Sequence, residues 1–153
     1  MGGRHRTPGP LSALLVSAGL GLCAAAPTSA QEQVQKYAGT TSQGQRIALN
    51  VSSAGVRYRI AWQGECEDGG QPFESTTSNE QPLPVRRRGK FSDKKSFEAK
   101  ADDGATVSFE ISLVGEIQGG RALGTWEATA KGPYADGGKY TCSAKEVTWK
   151  AKK

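Results

Sequence analysis

The chain has 153 residues and a net charge of +5, with 20 Lys and Arg against 15 Asp and Glu. That length holds one ordinary domain and no more. Hydrophobic residues are 36% of the chain, but 20 further residues are glycine, so a disordered polyampholyte is not required by the composition.

Residues 1–10 carry Arg4 and Arg6 and no acid, and residues 11–26 (LSALLVSAGLGLCAAA) are apolar and small. Pro27-Thr28-Ser29-Ala30 and the polar Gln31 follow. This is the pattern of a secretory signal peptide over 1–30, with cleavage expected after Ala30 and Ala26 as the alternative. The apolar run falls short of the roughly 20 residues a membrane span needs, so no stable span is expected. Cys23 follows Leu22 rather than the small residue of a lipoprotein signal, and reads as part of the apolar run. The expected product is one secreted domain, 31–153. It holds two cysteines, Cys66 and Cys142, and 18 basic residues against 15 acidic. An even cysteine count in an exported chain points to a single disulfide. Closing that loop would contribute roughly 4.5 kcal/mol in the chain-entropy account.

Period-2 alternation recurs through 31–153. Ile47, Leu49 and Val51 alternate with polar or small residues, as do Val56, Tyr58, Ile60 and Trp62, and then Val107, Phe109, Ile111 and Leu113. Turn signals such as Ser53-Ala54-Gly55, Asp102-Asp103-Gly104 and Gln118-Gly119-Gly120 separate the runs. Strands are expected over about 34–40, 45–52, 55–63, 82–87, 89–91, 95–101, 105–117 and 121–131, with a final pair at 139–143 and 146–151. Gly115 reads as a bulge or bend. The segment 67–82 (EDGGQPFESTTSNEQP) reads as one long loop. The expected fold is all-β: a single antiparallel barrel or two-layer sandwich of about eight or nine strands.

Catalytic equipment is sparse. No histidine follows His5, which excludes a histidine base in the secreted domain and most zinc sites. No Gly-rich phosphate loop is present. Glu98, Glu110 and Glu127 read as solvated strand faces, although paired carboxylates could serve a glycosidase. Asp102-Asp103-Gly104 reads as a turn rather than a calcium loop. Asn50-Val51-Ser52 matches a glycosylation sequon by chance, inside a strand. No enzyme, metal or cofactor is therefore expected.

Two features invite a binding role. Arg86-Arg87-Arg88-Gly89-Lys90 could engage phosphate, a sulfated polysaccharide or an acidic envelope polymer. The plainer reading places Arg86, Arg87 and Arg88 on a strand, with alternate side chains on opposite faces to deter edge pairing. Trp62, Trp126 and Trp149 could line a ligand cavity, but Trp62 and Trp149 share parity with core residues, so core filling is the default. Nucleic acid is not expected, because aromatic residues do not interleave with basic ones.

The order Gly89-Lys90-Phe91-Ser92, then Gly115, Ile117, Gly119-Gly120-Arg121-Ala122 and Gly124-Thr125, then Cys142-Ser143 and Trp149 with Ala151 and Lys153, resembles small secreted proteins of Gram-positive, mainly actinobacterial, genomes. The opening Tyr37-Ala38-Gly39-Thr40-Thr41-Ser42-Gln43-Gly44 is similar too, and Ala144 departs from the pattern. That family has no assigned function, so the resemblance implies the fold and no site residue.

The leading expectation is a secreted, non-enzymatic β-domain that binds an extracellular protein or envelope polymer through its loops or one open end. A lipocalin-like carrier of a small hydrophobic ligand and a β-barrel protease inhibitor are the alternatives.

Overall fold

Alternating runs with one apolar face must bury that face against another sheet surface, or against the same sheet coiled on itself. The computed structural model describes residues 32–134 and 136–153. The expected leader, Cys23 and the cleavage points at Ala26 and Ala30 lie outside them. Eight strands form: β1 (Gln35–Thr41), β2 (Arg46–Ser52), β3 (Gly55–Cys66), β4 (Phe73–Ser78), β5 (Lys90–Lys100), β6 (Thr106–Gln118), β7 (Arg121–Pro133) and β8 (Lys139–Lys152). All neighbours are antiparallel and belong to one sheet, in the order β4-β3-β2-β1-β8-β7-β6-β5. A 3-10 turn, Arg87–Gly89, precedes β5.

The sheet coils until its two edges face each other. Tyr58 on β3 reaches Asp93 on β5, and Phe73 on β4 packs against Phe109 on β6 with ring centroids 5.9 Å apart. The fold is thus one coiled sheet with a seam between β4 and β5, rather than two separate sheets. Its interior holds Trp62, Trp126, Leu113, Ile60 and Val56, each no more than 1% exposed.

Long β3 and β8 pair with each other only at Glu65–Ser143 and Cys66–Cys142. Below that point the β1–β2 hairpin wedges between them: β1 pairs with β8 from Ala38 to Thr41, and β2 pairs with β3 from Ile47 to Ser52. The hairpin tip is tied to both sides. Ser42 N–H donates to Thr148 O at 2.7 Å, and Gln43 Nε2 donates to Gln63 O at 2.6 Å. The disulfide Cys66–Cys142 closes the point where β3 and β8 meet, with their α-carbons 3.9 Å apart.

Several expected elements are redrawn. The expected loop 67–82 contains β4, an edge strand whose inward positions are Phe73, Ser75 and Thr77. The expected strand 82–87 is an extended segment with one bridge, Val56–Leu83. Arg86, Arg87 and Arg88 accordingly do not alternate across a strand; Arg88 takes a positive φ of 62° in the turn. The segments 89–91 and 95–101 join as β5, because Phe91, Asp93, Lys95 and Phe97 keep one parity through the polar stretch. The final pair joins as β8, broken only by a bulge that leaves Glu146 at φ 54°. Gly115 is not a bulge. It pairs in register with Phe91 and Gly124, and a β-carbon there would strike the Phe91 ring.

Candidate functional site

The tryptophans are core residues in position. Trp62 and Trp126 lie 6.3 Å apart by ring centroids, and Trp149 packs on Phe91 at 6.2 Å. Trp62 Nε1 donates to Thr77 Oγ1 at 3.0 Å, and Trp149 Nε1 donates to Thr125 O at 3.2 Å. Trp126 Nε1 is buried with no partner among the described residues.

A polar cluster that the sequence reading missed sits at the seam. The Tyr58 hydroxyl donates to Asp93 Oδ2 at 2.7 Å, and Lys95 Nζ lies 3.4 Å from the same oxygen. Lys95 Nζ also donates to Ser78 O at 3.2 Å, so it spans from β5 to β4. Burial, with the Asp93 hydrogen bond added, pushes the Tyr58 phenol well above its ordinary range. The cluster ties two unpaired edges, which is a structural task. Among the described residues, no group of three His, Cys, Asp or Glu side chains gathers to hold a metal ion.

Glu98, Glu110 and Glu127 do fall on neighbouring strands β5, β6 and β7, all exposed. Glu110 pairs with Lys131 at 3.5 Å. They stand on the outer face, where Glu110 and Glu127 line an open depression with Glu146, Lys94 and Lys145, and carry no further sign of a catalytic pair.

Charge divides along the strands. One end carries the 67–72 and 134–138 connections and the β5–β6 turn. It presents Glu65, Glu67, Asp68, Asp102, Asp103 and Asp136, with Lys100 and Lys139 among them. There the Tyr134 hydroxyl donates to Asp68. That bond holds the Asp68 carboxyl below its usual range and pushes the phenol up to about 12.

The opposite end is basic. It carries the β2–β3 and β6–β7 turns, the start of β5 and the C-terminus. Arg86, Arg87, Arg88 and Lys90 lie here, their turn packed so closely on β6 that Gly89 abuts Ile117 O. Across β6 stands Arg121, paired in register with Lys152 on β8. Beyond Lys152 come Lys36 on β1 and Arg57 and Arg59 on β3, while Arg46 extends the row up β2 toward the β1–β2 turn, all exposed. The acids at this end are Glu116, Glu80 and Glu32. The Glu32 carboxyl is held low mainly by the Ser53 hydroxyl, with Arg57 adding a smaller pull. None of these cations forms an ion pair within 4.0 Å among the described residues. The expected patch at 86–90 is therefore one part of a larger basic belt, gathered by strand order rather than by sequence proximity.

No family model matches the chain, and no curated protein or solved structure matches it.

Proposed function

We propose that the chain is a non-catalytic binding domain of the extracellular or envelope space, and that its basic end engages an extended polyanion. The observation that carries this reading is the partition of charge between the two ends of one rigid sheet. Like charges gathered without ion pairs raise the local potential and attract an anionic partner. The structure costs little to hold ready, because most of these side chains project from paired strands rather than from free loops. A Cys66–Cys142 bond suits an oxidising compartment, and an envelope polymer is a partner such a compartment offers.

The test is retention on an immobilised polyanion as salt rises. Each neutralised anionic group contributes to a linear fall of log affinity with log salt. Wild-type protein should be retained at about 50 mM salt and elute at higher salt, as expected for screened charge contacts. Replacing Arg86, Arg87 and Arg88 by Gln should lower the elution salt, whereas replacing Asp102 and Asp103 by Asn should not. Flow-through of the wild-type protein at low salt would overturn the reading.

A further inference from the structure

We propose that the outer surface of β1 is the seat of the ligand, a lane that takes a single flexible chain of phosphate groups that carries no bases. This rests on the polyanion reading above and assigns it a place and a shape. Ala38 and Thr40 point outward on β1, and neither is larger than threonine. Two shallow surface depressions share Ala38, Gly39 and Thr40 as their common floor. Arg46 and Arg59 line one, and Arg121, Lys150 and Lys152 line the other.

Register fixes the dimensions. Thr40 pairs with Arg46 on one side and Lys150 on the other. In this row the cations thus stand two strand spacings apart, about 10 Å, and in the next row three, about 14 Å. In the adjacent row Ala38 pairs with Ala48 and Lys152, and Ala48 pairs with Arg59. On the β8 flank Lys150 and Lys152 stand two residues apart, about 6.8 Å, whereas the other flank is stepped, with Arg46 on β2 and Arg59 one strand farther out on β3. No carboxylate stands between the flanks; Glu116 is reached only beyond Leu123, on the next strand.

The chemistry of the flanks selects among anions. Guanidinium groups bind phosphate through two parallel N–H donors, and the lysines add point charges opposite them. Among the described residues, no exposed aromatic side chain borders the lane, so it offers no platform for base stacking. The sheet is coiled and its outer side convex. A flat bilayer of phosphodiester headgroups would reach one flank at a time, whereas a flexible chain can follow the lane.

The experiment uses inorganic polyphosphate as the chain probe and phosphatidylglycerol vesicles as the surface probe. The full exported domain is titrated with each at fixed low salt. Ala38→Ile with Thr40→Ile fills the floor without changing charge and keeps strand preference. Ala48→Ile is a second variant at the edge of the floor. Thermal unfolding of each checks that the sheet persists. The proposal expects at least a tenfold loss of polyphosphate affinity in either folded floor variant, and a similar loss in Arg46→Gln with Lys150→Gln. Wild-type affinity in both floor variants, with loss only in Arg86→Gln, Arg87→Gln, Arg88→Gln, would overturn the lane and leave the polyanion reading standing. Vesicle binding as tight per phosphate as polyphosphate binding, unchanged by the floor variants, would also overturn the lane. No binding of wild type to either probe would remove both.

Discussion

The side chain of Gln43 pairs with the backbone of Gln63 as a strand residue would. Its Nε2 donates to Gln63 O at 2.6 Å, and its Oε1 accepts from Gln63 N at 3.1 Å. Where β1 and β2 turn back, β3 continues alone, and this amide occupies the missing ladder position. Removing it leaves a part-buried donor and acceptor unmade. Gln43→Ala should therefore cost about 1–3 kcal/mol, read by urea unfolding. A change under about 0.3 kcal/mol would mean that water replaces the amide freely. Gln43→Glu keeps the acceptor and loses the donor, so it should fall between.

The disulfide should matter more than any single hydrogen bond. It joins residues 76 apart in sequence at the one place where β3 meets β8. Cys66→Ala with Cys142→Ala should lower stability by about 2–5 kcal/mol. Intact-mass analysis of oxidised protein after alkylation should find neither cysteine labelled. Labelling at both would show that the bond does not form.

Alkaline pH should loosen the seam. Tyr58 is held neutral by burial and by its bond to Asp93, so its folded pKa is above the unfolded value near 10. Its contribution is complete below pH ~10 and fades as pH rises beyond it. Tyr134 behaves likewise up to about 12. Its partner Asp68, held low, contributes above the usual carboxylate value and loses that contribution as pH falls below it. Tyr58→Phe should cost about 1–2 kcal/mol at neutral pH and flatten the stability loss above pH ~10. Tyrosinate absorbance that rises fully near pH 10 in folded wild-type protein would contradict this account.

Two glycines are expected to resist substitution for different reasons. At Gly115 a methyl group would meet the Phe91 ring, a side chain that can shift. At Gly124 it would meet Val114 O and lie 2.6 Å from Trp149 Cζ2, where the backbone cannot yield. Gly115→Ala should cost about 1–3 kcal/mol, and Gly124→Ala should cost more than Gly115→Ala in the same denaturant series. The reverse order would contradict the register.

Legibility in the sequence followed burial contrast. β3 and β6 were plain because Val56, Tyr58, Ile60 and Trp62, and Val107 through Leu113, alternate large apolar with polar groups. β4 was hidden because Phe73 is the one large apolar side chain on its inward face, with Ser75 and Thr77 completing it. The turn at Arg87–Gly89 was misread because Arg88 holds a positive φ that a run of arginines does not announce. Asp93 and Lys95 share parity with Phe91 and Phe97. The expected strands 89–91 and 95–101 leave 92–94 between them, because Asp93 is a charged residue on an inward face, although it keeps this parity. The basic end could not be read at all from local sequence. Lys36, Arg59, Arg121 and Lys152 become neighbours only through the strand order β3-β2-β1-β8-β7.

The most direct test of the central claim is an amide chemical-shift titration of isotope-labelled protein with polyphosphate at low salt. The account expects shifts concentrated at residues 36–40, 46–48, 57–59, 86–90, 121–123 and 150–153, moving together with one dissociation constant that weakens as salt is added. Shifts centred on the 67–72 and 134–138 connections, or no shifts at saturating polyphosphate, would contradict it.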